Sequence, residues 1–140
     1  MTSAWGSMRQ RDQKILVVDD DPVFLQSLSG VLEQDGYVVV TRESALGTRA
    51  AIMREKPNLV LLDYNMPDLR GEELVRLIRS NQALRDTAVL LISGAEDVRQ
   101  LAENLGVKFA LKGASVLSLL LAVQQALPRP RRVPGDKPGK

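Results

Sequence analysis

Leu59-Val60-Leu61-Leu62-Asp63 is a run of four apolar residues with no polar break, closed by a carboxylate. A run this short and continuous suits a strand buried on both faces, as in a parallel sheet covered by helices. The same pattern recurs upstream, where Ile15-Leu16-Val17-Val18 ends in Asp19-Asp20-Asp21-Pro22. There an Asp can cap a helix and Pro suits its first turn. Phe24, Leu25, Leu28, Val31 and Leu32 follow at helical spacing, and Gly36 stops the helix. Val38-Val39-Val40 reads as a further strand, and Ser44 to Glu55 as a weaker helix ended by Pro57.

Downstream of Asp63 the alternation continues. Gly71 precedes a helix with Leu74, Leu77 and Ile78 turned inward, and Ala88 to Ile92 forms a strand ending at Ser93. Asp97 to Leu105 is a short helix closed by Gly106, and Lys108 to Leu111 is a strand ending at Lys112. Ser115 caps a last helix running to Leu127. On a helical wheel Val116, Leu120, Val123 and Leu127 face the core, leaving Leu117 and Leu121 far round from it. Five strands alternating with five helices predict an α/β, doubly wound, five-stranded parallel sheet with helices on both faces. In the strand order 2-1-3-4-5, the first and third strands are neighbours. Ligands of such sheets bind beyond the carboxyl ends of the strands, where the order reverses.

The noteworthy polar residues all fall on that edge: Asp19, Asp20 and Asp21, then Asp63, Ser93 and Lys112. Carboxylates so close repel and raise one another's pKa, a conflict that a hard divalent cation removes. Mg2+ takes oxygen ligands and often shares its site with a phosphate. With Lys112 and the Ser93 hydroxyl on the far side, the pocket holds what a phosphoryl group in transfer needs. Each part alone has a plainer meaning: a helix cap, a turn residue, a solvated lysine. The inference rests on their sharing one edge.

The bulk numbers are consistent with this reading. The 140 residues suffice for one domain, and the chain has no cysteine and no histidine. That excludes disulfides, thiolate and histidine metal sites, a Ser/His/Asp triad and a phosphohistidine donor. The pI near 9.1 suggests a nucleic-acid binder until the charges are located. Residues 128–140 carry net +4 and residues 1–14 net +2, so the body between them is −4 within a total of +2. The basic ends read as solvated, and they lack the interleaved aromatics of single-strand binders. Residues 1–13 read as a disordered or expression-derived N-terminus, 14–127 as the domain, and 128–140 as a basic Pro/Gly-rich tail. No apolar run spans a bilayer and no export signal is visible, so a cytoplasmic location with no membrane partner is expected.

The segments Ile15–Pro22, Leu59–Leu74, Leu90–Gly94 and Phe109–Lys112 together resemble the receiver domain of two-component response regulators, in particular stand-alone, chemotaxis-regulator-like members. The similarity covers roughly residues 14 to 127 and implies a flavodoxin-like fold. It further implies that Asp63 accepts a phosphoryl group from a histidine kinase or histidine phosphotransfer protein. By the same resemblance Asp20, Asp63 and the Asn65 backbone carbonyl hold Mg2+, and Asp19 supports it through water. Ser93 and Lys112 contact the phosphoryl oxygens, and Ser93 and Phe109 form the switch. Asp21 matches no metal role and is read as the helix cap. The implied activity is phosphoacceptance and self-dephosphorylation only, with output through protein partners.

Three departures from the family pattern stand out. Gly113 replaces the proline that usually follows the lysine, so a trans Lys112–Gly113 bond is expected, because cis is costly before any residue but proline. The segment from Ser93 to Lys112 is shorter than in many members, so its helix should be short or skewed. No DNA-binding output domain is expected, and Leu117 and Leu121, far round from the core face of the last helix, suggest a homodimer or partner surface. Two other readings remain open. One is a pseudo-receiver that binds partners without phosphorylation. The other is a haloacid-dehalogenase-type phosphatase, whose opening motif Asp19-x-Asp21 resembles.

Overall fold

The computed structural model describes residues 13–94 and 98–127. Five strands, β1 (Lys14–Val18), β2 (Val38–Arg42), β3 (Leu59–Asp63), β4 (Ala88–Ser93) and β5 (Lys108–Leu111), alternate with five helices. These are α1 (Pro22–Gln34), α2 (Thr48–Glu55), α3 (Gly71–Ser80), α4 (Val98–Leu105) and α5 (Val116–Ala126), with a single 3-10 turn at Gln82–Leu84. The strands form one sheet in the order β2-β1-β3-β4-β5, and every pairing is parallel.

Alternation along each central strand divides the core in two. Leu16 and Val18 of β1, Val60 and Leu62 of β3, and Val89 and Leu91 of β4 pack on one face with Ile52 of α2, Leu74 and Ile78 of α3 and Ala102 of α4. Ile15, Val17, Leu59, Leu61, Leu90 and Ile92 point to the other face, against Leu25, Leu28 and Leu32 of α1 and Leu119 and Val123 of α5. Successive strand side chains point to opposite faces, so continuous apolar runs are what a sheet covered on both sides requires. Each fully buried leucine or isoleucine contributes about 1.5–3 kcal/mol relative to exposure. The edge strands β2 and β5 are only half-buried, and their sequences are correspondingly more mixed.

The helix boundaries follow local chemistry. The Asp21 carboxylate accepts from the N–H groups of Val23 and Phe24 at 3.0 and 3.3 Å, capping α1, and Pro22 opens it. Gly36, at φ 98°, ends it. The Ser115 hydroxyl accepts from the Ser118 N–H at 3.1 Å and caps α5. Two expectations need correction. Helix α2 starts at Thr48, not Ser44, because Gly47 takes a left-handed φ of 82° that breaks the helical path. In α5 it is Leu119 that is fully buried, while Leu120 and Val116 are half-buried; Val123 and Leu127 are buried as the wheel places them. Leu117 and Leu121 are exposed, at 68% and 58%. Helix α4 is short, at eight residues; its expected start at Asp97 lies outside the described residues, as do residues 1–12 and the tail 128–140. No helix among the described residues is long and apolar enough to cross a membrane.

Candidate functional site

Parallel pairing aligns the strand ends. Val18 is in register with Leu62, which sets Asp19 beside Asp63, and Ser93 is in register with Leu111, which sets Lys112 just beyond it. Backbone hydrogen bonds carry the ladder past the strands. Asp19 N–H donates to Arg42 O at 3.1 Å, Tyr64 N–H to Ile92 O at 2.8 Å and Lys112 N–H to Ser93 O at 2.7 Å. The sheet thus holds the site residues on hydrogen-bonded backbone, where positions are better defined than on free loops.

Three carboxylates converge. One oxygen from each of Asp19, Asp20 and Asp63 lies within 4.8 Å of the others, with Asp19 and Asp63 buried and Asp20 exposed. Lys112 does not stand across from this cluster, as the sequence suggests, but reaches into it. Its Nζ lies 3.0 Å from both oxygens of Asp19 and 3.6 Å from Asp63 Oδ2. Only Asp19 Oδ1 is aligned for a hydrogen bond, and it also accepts from the Asp21 N–H at 2.9 Å. Asp19 Oδ2 is fully buried and, despite the nearby ammonium, has no hydrogen-bond partner.

The electrostatics follow from this crowding. Burial pushes the Asp19 carboxyl above its ordinary range, and the charge of Asp63 adds to the rise; the Asp21 N–H and Lys112 only partly offset it. Burial pulls Lys112 down, but the hydrogen bond and charge of Asp19, then the charges of Asp63 and Asp21, outweigh it and raise Lys112. The pair is therefore unequal: the ammonium gains from its neighbours, while Asp19 is still short of compensating charge. A hard divalent cation fits such a donor set, made of clustered carboxylate oxygens with one buried oxygen unsatisfied.

The remaining predicted residues sit around this cluster. Asp63 Oδ1 accepts from the Asn65 N–H at 2.9 Å, leaving Oδ2 toward Lys112. The Ser93 hydroxyl, fully buried at the end of β4, donates to Asn65 Oδ1 at 3.2 Å. Phe109 lies on β5, half-buried against the α2/α3/α4 side of the core, with the Arg99 guanidinium 5.2 Å from its ring centroid. No cis peptide bond occurs among the described residues, so Lys112–Gly113 is trans, as expected. Sequence reasoning missed three neighbours: the Asn65 side chain on Ser93, Arg99 over Phe109, and Phe24, whose ring centroid is 4.8 Å from Lys112 Nζ. Phe24 carries a faint signal, since it lies one turn into the helix that Asp21 caps.

The chain resembles known proteins in sequence and in fold. The response regulator receiver domain family matches residues 15–112. The TorCAD operon transcriptional regulatory protein TorR of Escherichia coli (strain K12) is 32% identical over 83 residues, which is 59% of this chain and 35% of TorR. The chain thus spans about a third of that relative's length. The chemotaxis response regulator CheY4 of Vibrio cholerae superposes with a TM-score of 0.74 at 25% identity, over 82% of this chain and 98% of that one. The BeF3-activated N-terminal receiver domain of Klebsiella pneumoniae RstA gives 0.71 at 27% identity, over 84% and 100%. A family match over most of the chain, on a sheet of the same order with its acidic cluster at the strand ends, makes this protein a member of the response regulator receiver domain family of two-component systems.

Proposed function

We propose that Asp63 accepts a phosphoryl group from a histidine kinase or histidine phosphotransfer protein, and that residues 14–127 are the unit that switches in response. The observation that carries the reading is the buried Asp63 carboxylate, flanked by Asp19 and Asp20 and 3.6 Å from the Lys112 ammonium. A carboxylate oxygen of Asp63 attacks the phosphorus, and the donor's P–N or P–O bond breaks with its electron pair leaving on the donor. Lys112 and the Ser93 hydroxyl then bind the phosphoryl oxygens, which requires Ser93 to exchange Asn65 for the new acceptor. Asp19, Asp20, Asp63 and the Asn65 carbonyl are the residues that would hold Mg2+. Bound there, the ion would supply positive charge to the carboxylates and to the oxygens of the transferring group.

The phosphorylated residue adds a dianionic group, which signals only by favouring one of two conformations. Ser93 and Phe109 are the residues through which we read that bias, and the exposed Leu117 and Leu121 are the surface for a second copy or another protein. The test is intact mass after incubation with acetyl phosphate and Mg2+. Wild type should gain one phosphate, and Asp63→Asn should gain none. An equal adduct in the variant, or without metal, overturns the assignment; a wild type that takes no phosphate from any donor favours the pseudo-receiver reading.

A further inference from the structure

Lys112 leaves the sheet at a lightly built turn. Its own N–H is tied to Ser93 O, and Ala114 N–H closes the turn onto Leu111 O at 3.1 Å. Beyond it Gly113 is exposed, and a side chain there would meet nothing within 4 Å. The backbone therefore fixes where the lysine starts, but no packing on the turn fixes where its ammonium goes. A lysine ends in a compact charge on a flexible four-carbon stem, so its aim must be set at the far end.

Three groups stand there. Two are the carboxylates of Asp19 and Asp63, 3.0 and 3.6 Å from Nζ. The third is Phe24, whose ring centroid lies 4.8 Å from Nζ. The negative face of an aromatic ring attracts a cation at this range, more strongly where water is partly excluded. Phe24 is itself well anchored. It packs half-buried beside the core shared by α1 and α5, and its N–H donates to Asp21, whose own N–H donates to Asp19. The contacts close a circuit from Asp19 through Asp21, Phe24 and Lys112 back to Asp19.

We propose that Phe24 is a positioning residue for Lys112, its ring face holding the ammonium over the acidic crevice within reach of a phosphoryl group on Asp63. The proposal rests on the reading of Asp63 as phosphoacceptor. In this chain the ring supplies from α1 a restraint that the open Gly113 turn does not supply from its own side. Held between the ring and Asp19, Nζ lies 3.6 Å from Asp63 Oδ2.

The test compares Phe24→Leu, which keeps apolar bulk and loses the ring, with Phe24→Trp, which keeps a ring face. Two readouts apply: the initial rate of Mg2+-dependent phosphorylation by acetyl phosphate, and the NMR shift of the Lys112 Cε protons, assigned with Lys112→Arg. Phe24→Leu should lower the rate about 3- to 10-fold, and Phe24→Trp should stay within about 2-fold of wild type. The Lys112 protons should carry an upfield ring-current shift in wild type and Phe24→Trp, and lose it in Phe24→Leu. An unchanged rate in Phe24→Leu, an equal loss in both variants, or no ring-current shift in wild type overturns the proposal. A wild type that takes no phosphate overturns the phosphoacceptor reading instead, and the Lys112 shift, read without donor or metal, still supports or overturns the contact by itself.

Discussion

Lys112 and Asp19, 93 residues apart in the chain, meet with the ammonium 3.0 Å from both carboxylate oxygens while the Asp19 side chain is wholly buried. The same ammonium serves Asp63, so one cation faces two buried carboxylates at the ends of neighbouring strands. Removing either partner of such an arrangement is unequal in effect, because what matters is the charge left behind.

Lys112→Met leaves Asp19 and Asp63 without their cation. We expect a loss of roughly 1–3 kcal/mol at pH 7 without Mg2+, less than for a wholly buried pair because Lys112 reaches solvent. The neighbours raise the lysine's pKa, so its contribution is fully present below its ordinary value and is lost as pH rises through the folded one. Wild type should therefore lose stability on the alkaline side more steeply than Lys112→Met. Urea unfolding across pH 7 to 11 measures both effects.

Asp19→Asn should do the opposite in metal-free protein. Burial raises the Asp19 pKa, so its contribution to stability is present below the ordinary carboxylate value and is lost as pH rises through the folded value. At pH 7, well above its ordinary value, the buried Asp19 carboxyl is therefore a cost that Asn does not carry. Melting in EDTA should show a higher Tm for Asp19→Asn than for wild type. Adding Mg2+ should raise the wild-type Tm by more than the variant's; a variant that melts lower in EDTA would contradict this account.

Gly113→Pro changes the turn that carries Lys112. Proline fixes φ and lowers the cost of a cis bond, whereas the present bond is trans. A Cβ at Gly113 would meet nothing within 4 Å, so we expect folding to be retained. The rate of phosphorylation by acetyl phosphate, or the lifetime of the adduct, should change measurably. Unchanged kinetics would mean that the geometry of this bond has little functional weight.

Leu117→Lys combined with Leu121→Lys should alter association and leave the fold intact. Both side chains are exposed, so stability should move by no more than about 0.5 kcal/mol per site. If α5 mediates self-association, sedimentation should show a dimer in the free or phosphorylated wild type and a monomer in the double variant. A wild type that is monomeric in both states leaves only a different protein as the partner.

The sequence by itself determined the number and order of elements, and which edge of the sheet carries chemistry. Apolar runs such as Ile15–Val18 and Leu59–Leu62 have one stable home, between helices on both faces. In a parallel sheet every residue that follows such a run lies on the same edge, so Asp19, Asp63, Ser93 and Lys112 are legible as a group from the sequence. Asp21 as a cap and Gly36 as a stop were equally local, because a cap needs only its own next few N–H groups. Tertiary structure alone decided what these side chains touch. Lys112 pairs with Asp19 and lies against Phe24, and Ser93 bonds the Asn65 side chain, because torsions of side chains from separate elements are settled by neighbours in space. It also decided the rotation of α5: Val116, Leu117, Leu119, Leu120 and Leu121 offer apolar groups nearly all round that helix. Docking against β4 and α1 therefore buried Leu119, a choice that no pattern along the chain could make.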